Sequence, residues 1–398
     1  MVSVQEGGPA AIDWRTIGAL NLVSTLAQVG QFGVAFVVLP VWLSGQGLDA
    51  SQLGMFASSL WLGQLPGLAM APWLCQRYGA RWVIVLGLLC TVSAFGGISL
   101  GAWPFWLAGG TLAGFGLGLR WIGLEPWLYR IAPADARGRL VGFHETLIAL
   151  APIVAPLLSG YFGLQGRAVF WIGAMFCLGA MVPLAFARVS ASGGAANSAG
   201  NEPVARVAVL RDRLFRQGMV IALVGGMMEA AVSGLFAVFT QGRGMSIDLT
   251  ADLLAVFWLG GLLMQYGVGW LADHRGLGTA ALFCAAGTAL VSVALVLPLS
   301  HALVMLTVFL LGGFITAFLT LALIAGTVTA SGTIAKNVSM ISMVYTLSAV
   351  AGPLIAGATI KATNGDALMW LTAGAAVTMG MTVTWFIAPS TQSANRSP

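Results

Sequence analysis

Twelve apolar stretches, broken by a single long polar segment, make up almost the whole chain, and this layout excludes nearly every water-soluble fold. A helix needs about 20 apolar residues to cross a bilayer. Runs of that order cover residues 16–43, 50–75, 82–101, 103–128, 140–163, 168–187, 215–240, 250–272, 277–298, 302–328, 337–360 and 367–388. Of the 398 residues, 58% are hydrophobic and 8% charged, whereas soluble domains are about 25% charged. Too few charges remain to cover a water-facing surface, so lipid is the solvent. The first run is too long for a signal-peptide core and has no basic segment before it, so it reads as a retained span. The expected class is an all-α integral membrane protein.

The polar segment, residues 187–216, has a core rich in Ser, Gly, Ala and Asn and reads as a flexible linker. It divides the chain into an N-terminal six-helix bundle (1–188), a linker (189–213) and a C-terminal six-helix bundle (214–398). Of the 18 Lys and Arg, fourteen fall on the termini and loops of one side, whereas only Arg167, Arg243 and Lys361 fall on the other. The remaining base, Arg120, lies inside a span. The positive-inside rule then places both termini and the linker in the cytoplasm. The basic excess is a topology signal, so no nucleic-acid partner is expected.

The two halves are repeats. "WLGQL" at Trp61–Leu65 returns as "WLGGL" at Trp258–Leu262, 197 residues later. "PWLCQRYG" at Pro72–Gly79 and "GWLADHRG" at Gly269–Gly276 share that offset, as do "APLLSG" at Ala155–Gly160 and "GPLIAG" at Gly352–Gly357. Six spans per half give both repeats the same sense across the membrane, and parallel repeats rock about a central site.

With these features the whole chain resembles the major facilitator superfamily. The family's loop motif between its second and third helices, roughly G-x-L-A-D-R-x-G-R-K, is matched by Gly269, Leu271, Ala272, Asp273 and Gly276 in the second half, and by Leu74, Arg77, Gly79 and Arg81 in the first, where Gln76 replaces the Asp. The fifth-helix motif of its proton-coupled exporters, G-x8-G-x3-G-P-x2-G-G, is matched in part by Gly142, Ala151, Ala155, Pro156, Ser159 and Gly160. Span 11 repeats it with Ser339, Ser348, Gly352, Pro353, Ala356 and Gly357. Small residues on one stripe let helices approach closely and proline bends them, so generic packing is the competing reading. The run "EPWL…RGR" also resembles an uncharacterised bacterial branch of the superfamily. The resemblance implies twelve helices in two parallel bundles, with helices 1, 4, 7 and 10 lining a central cavity.

Those spans carry the polar residues that a bilayer disfavours. Span 1 has Asn21, Ser24, Gln28 and Gln31 on one face; span 7 has Glu229, Ser233 and Thr240; span 10 has Thr316, Thr320 and Thr327. Arg120 in span 4 and Glu145 in span 5 lie at depths that allow a salt bridge. Arg120 also resembles the family's R-x-x-Q-G motif, with Gly123 in place of the Gln, and is a candidate for coupling or for anion contact. Glu229 has no evident base nearby. A buried carboxyl of this kind can bind and release a proton as its surroundings change, so Glu229 and Glu145 are the protonation candidates. Glu125 is about 140° around the helix from Arg120 and is assigned to a cytoplasmic gate with Arg77, Arg81, Asp273, Arg137 and Arg139. His144 reads as a packing or lipid-edge residue. Trp61, Trp121, Trp127, Trp258, Met227, Met228 and Phe236 either form a binding wall or pack as core and interfacial anchors.

Four scattered cysteines and three separated histidines suggest no metal site, and no catalytic constellation or P-loop is present. The expected function is secondary active transport of a small organic solute by alternating access, with proton-coupled efflux as the leading form. The alternatives are a proton symporter or facilitator for a metabolite (a sugar or organic acid), and a non-transporting scaffold. No cofactor is expected beyond a proton gradient as energy source. The expected partners are solute, protons and the lipid bilayer of a bacterial cytoplasmic (inner) membrane, with a monomer as the functional unit.

Overall fold

The computed structural model describes residues 13–132, 137–164, 166–188, 210, 212–329, 331 and 333–387. The linker expected over 189–213 lies almost wholly outside them. The spans are α1 (Trp14–Ser44), α2 (Ala50–Tyr78), α3 (Ala80–Leu100), α4 (Phe105–Ile131), α5 (Arg137–Ala149 and Ala151–Phe162) and α6 (Ala168–Phe186). The second half holds α7 (Arg213–Gly242), α8 (Ile247–Arg275), α9 (Leu277–Val296), α10 (His301–Val328), α11 (Ile334–Ala362) and α12 (Ala367–Ile387). Helices α1, α2, α7, α8 and α11 start where a short polar side chain satisfies one of the first free N–H groups. Asp49 and Gln52 form a reciprocal capping box on α2, and Ser246 caps α8.

The repeated blocks now have physical reasons. Gly79 and Gly276, 197 apart, each close one helix and open the next with φ of 88° and 86°, a conformation glycine adopts without strain. Gly63 and Gly260, the glycines of "WLG", mark where α2 crosses α4 and α8 crosses α10. A Cβ on Gly63 would lie 1.9 Å from the Thr111 carbonyl oxygen, and one on Gly260 would lie 1.9 Å from that of Phe309. Gly260→Val should therefore abolish most of the folded yield, read as loss of the monodisperse peak in size-exclusion chromatography. Gly267→Val, on the same helix with open space around it, should elute as wild type.

Two helices depart from the continuous spans expected. In α1, Val29–Val38 winds as a π-helix, and Gly30 and Gly33 in that stretch touch α6 and α5. In α5 the winding breaks at Leu150. Pro152 and Pro156 both lack the N–H that would reach the carbonyl one turn back; the discontinuity falls just before the first, and Pro156 continues inside its segment. Pro353 likewise sits inside an unbroken α11.

The halves meet at the end of the bundle away from the chain termini, here the distal end. A Cβ on Gly54 would lie 2.3 Å from the Pro353 carbonyl oxygen, and one on Gly357 would lie 2.4 Å from that of Ala50, so α2 and α11 are in backbone contact. Ser58 donates to the Val350 carbonyl at 2.7 Å, Gln241 donates to Ser44 at 2.6 Å, and Lys361 pairs with Asp49 at 2.9 Å. The small-residue motif thus splits. Gly352 and Gly357 are contact points, and Ala151 and Ala155 pack on Gly33. Gly142 and Gly160, expected to be part of the packing stripe, face open space.

Candidate transport site

The polar face of α1 has one dominant partner. Arg120 is fully buried. Its Nε donates to Gln31 Oε1 at 2.9 Å, Nη1 to Ser24 Oγ at 3.2 Å, and Nη2 to Gln28 Oε1. Gln31 passes the connection on to α3, donating to Thr91 Oγ1 at 2.9 Å and to the Gly87 carbonyl at 3.2 Å. Three helices are tied together by one guanidinium, whose planar fork suits several fixed acceptors. The salt bridge expected between Arg120 and Glu145 is absent among the described residues. Arg120 has all three nitrogens engaged by α1, and Glu145, on an exposed face of α5, accepts from the Tyr129 hydroxyl at 3.0 Å.

Glu125 sits one turn before Tyr129 on the same face of α4, which brings Glu125, Tyr129 and Glu145 together despite the rotation from Arg120. Glu125 is 9% exposed, and its Oε1 has no hydrogen-bond partner. Of the arginines expected to meet it, Arg81 is engaged elsewhere. Arg81 donates to the carbonyls of Leu184, Ala185 and Ala187, closing the C-terminal end of α6. Arg77, Arg139 and Asp273 are exposed, and the Arg137 side chain lies outside the described residues.

His144 corrects the lipid-edge reading. It is fully buried, with Nδ1 3.0 Å from Asn21 Oδ1 and the ring edge-on to Tyr129. The Asn21 amide donates its NH2 to the Ile17 carbonyl at 2.9 Å, which turns its oxygen toward His144. Nδ1 therefore donates, and Nε2 is buried with no partner. The signal available in sequence was Asn21 itself, a buried amide that needs a partner on a neighbouring helix.

In the second half, Tyr345 of α11 donates to Glu229 Oε2 of α7 at 2.6 Å. Glu229 is buried and in no ion pair among the described residues. Ser233, one turn on, has a buried hydroxyl without a partner. Of the α10 threonines, Thr316 is buried, donates to its own helix at Gly312 and lies against Gly261, whereas Thr327 is exposed.

The aromatic wall also divides. Trp61 and Trp258, the tryptophans of the repeated block, converge from opposite halves on Phe32 of α1, with ring centroids 6.5 and 5.4 Å from it. Phe36 stacks on Phe32 and meets Trp61 at 5.1 Å. Phe32 was not singled out in the sequence, because its period is that of any apolar helix residue. Trp127, Met228 and Phe236 are buried core, and Trp121 packs against Arg120 with the guanidinium carbon 5.8 Å from its ring.

The family profile described as the Major Facilitator Superfamily matches residues 21–335. The chain belongs to the major facilitator superfamily. An uncharacterised transporter of this type from Yersinia pestis (strain Pestoides F) is 27% identical over 362 residues, covering 90% of this chain and 92% of that protein. Another from Escherichia fergusonii is 26% identical over 258 residues, covering 64% and 65%. The crystal structure of the nucleoside transporter NupG superposes with a TM-score of 0.80 at 12% identity, covering 94% of this chain and all of the other. A D-xylose–proton symporter superposes at 0.74 and 14% identity, covering 96% and 99%. These likenesses carry the fold. As a major facilitator the chain is a multi-pass membrane protein of a transporter family, and its repeats are the two bundles of that fold.

Proposed function

We propose that the protein is a proton-coupled exporter of small organic solutes, working by alternating access in a bacterial inner membrane with both termini cytoplasmic. The observation that carries the coupling is Glu229: a buried carboxyl on a cavity helix, held by one tyrosine hydroxyl and by no cation among the described residues. Such a group can exchange a proton each time the cavity passes from one side to the other. The distal contacts between α2 and α11 then correspond to a carrier closed toward the outside. Residues 1–188 and 214–398 are the rocking bodies, and Arg77, Asp273, Arg137 and Arg139 gather when the cytoplasmic end closes. Gln28, Gln31 and Arg120 hold α1 on α4 while this happens.

The distal ion pair is not the proton switch. The Lys361 ammonium and the Gln52 N–H hold the Asp49 carboxyl below the ordinary aspartate range. The pair therefore persists at any pH above that range and loosens only as pH falls below it. It is also exposed, and such pairs contribute only about 0–1 kcal/mol. Asp49→Asn should accordingly leave the pH profile of transport unchanged above pH of about 5, whereas Gly357→Leu, which pushes α11 off Ala50, should make a cysteine placed at the distal end reactive to impermeant maleimide. The function itself is tested by dye efflux from cells expressing the protein. Efflux abolished by a protonophore is expected, and efflux that survives it contradicts coupling to protons.

A further inference from the structure

The charges around Glu125 do not balance. With Glu125 and Glu145 ionised and His144 a neutral imidazole donating from Nδ1 to Asn21, two negative charges stand against the single positive charge of Arg120. Glu125 lies within electrostatic reach of both Arg120 and Glu145, yet neither carboxylate forms an ion pair among the described residues. One negative charge is left over inside a bilayer, where an uncompensated charge costs about 2.5–3.5 kcal/mol or more.

Hydrogen-bonding capacity is left over as well. The nine-tenths-buried Glu125 has a bare Oε1, and the fully buried His144 has a bare Nε2. Of the donors nearby, Arg120 is spent on α1, the Tyr129 hydroxyl on Glu145 and Asn21 on Ile17, and the Trp121 indole N–H, which faces the Glu125 carboxyl, leaves Oε1 unmet. Buried polar groups of native proteins are rarely left unmet, so bare acceptors beside an excess negative charge call for a cationic donor. The surroundings favour an organic one. Trp121 and Tyr129 stand one turn before and one turn after Glu125 on the same face of α4, both half-buried. Aromatic rings attract cations through their faces by about 0.5–2 kcal/mol. Glu145, beyond Tyr129, is exposed.

We propose that Glu125 is the counter-ion of a binding site for a monovalent organic cation, seated between Trp121 and Tyr129 of α4 and Glu145 of α5. This rests on the reading of the chain as a carrier and names its class of solute. Glu125 would be the anchoring charge, Glu145 the charge at the entrance, and the His144 Nε2 an acceptor for an N–H of the solute.

The test is equilibrium binding of ethidium to the full chain in nanodiscs, followed by fluorescence anisotropy at one uniform pH. Without a gradient, the result is independent of whether transport is proton-coupled. Saturable binding is expected, displaced by tetraphenylphosphonium but not by its neutral analogue triphenylphosphine oxide, nor by sodium. Glu125→Gln should weaken ethidium binding by at least about tenfold, and Glu145→Gln by a smaller factor. Glu125→Asp, which keeps the charge one methylene short, should fall between wild type and Glu125→Gln. The proposal is overturned if no saturable binding occurs, if Glu125→Gln binds as wild type, if the neutral analogue competes as well as the cation, or if sodium displaces the dye, which would mark an inorganic cation site.

Discussion

Glu229→Gln is expected to leave a carrier that still exchanges solute downhill but no longer concentrates it when a pH gradient is applied. The substitution keeps the shape of the side chain, and its amide oxygen can still accept from the Tyr345 hydroxyl, which now reaches Glu229 Oε2 at 2.6 Å. Packing between α7 and α11 is thereby retained. That packing is close, since a Cβ on Gly352 would lie 2.2 Å from the Met227 carbonyl oxygen. What the variant lacks is a group that can carry a proton at this position. Counterflow assays, which need no gradient, should run at near wild-type rates, and gradient-driven accumulation should fall to the level of empty liposomes. Equal loss of both would instead mean that Glu229 serves structure or solute binding.

The second large effect is expected at Arg120. Arg120→Met fills a similar volume but removes every donor from Ser24 Oγ, Gln28 Oε1 and Gln31 Oε1. Each unmet buried acceptor costs about 1–3 kcal/mol, less where the helix can turn toward water. The expected destabilisation is about 2–4 kcal/mol, read as a fall of several degrees in the melting temperature of the purified protein. Arg120→Lys should recover little, because an ammonium cannot span three acceptors in a plane. If the methionine variant melts with wild type, α1 is held to α4 by apolar packing alone.

The architecture was legible in the sequence because its signals are local or periodic. Apolar run length gives the twelve spans, and the 197-residue offset gives the repeat. Gly79 and Gly276 show why that offset is kept: two backbone positions need positive φ. The α1 stripe was legible too, since Asn21, Ser24, Gln28 and Gln31 share one helical face. Its partner, Arg120, is the base set deepest within an apolar run, but that it would be spent on α1 is a fact of helix rotation, which residue spacing does not encode. Depth along a helix made a bridge from Arg120 to Glu145 reasonable, and the azimuth of α5 put Tyr129 there instead. The same gap hid the burial of His144 and the pairing of Glu229 with Tyr345, residues 116 apart in sequence. The break at Leu150 was missed because Pro152 and Pro156 look alike in a helix read as one rod. Each loses the same backbone bond, and residue spacing does not say which of the two losses interrupts the helix.

The carrier reading makes one directional demand. In proteoliposomes loaded at acid pH and diluted into alkaline buffer, with the membrane potential clamped by valinomycin and potassium, an exporter that exchanges solute for protons moves solute toward the acid side. Ethidium, whose charge does not depend on pH, should therefore accumulate in the lumen above the level of protein-free vesicles. The signal should collapse on addition of nigericin. Accumulation only when the lumen is alkaline, or equilibration unaffected by the gradient in either direction, would contradict proton-coupled export.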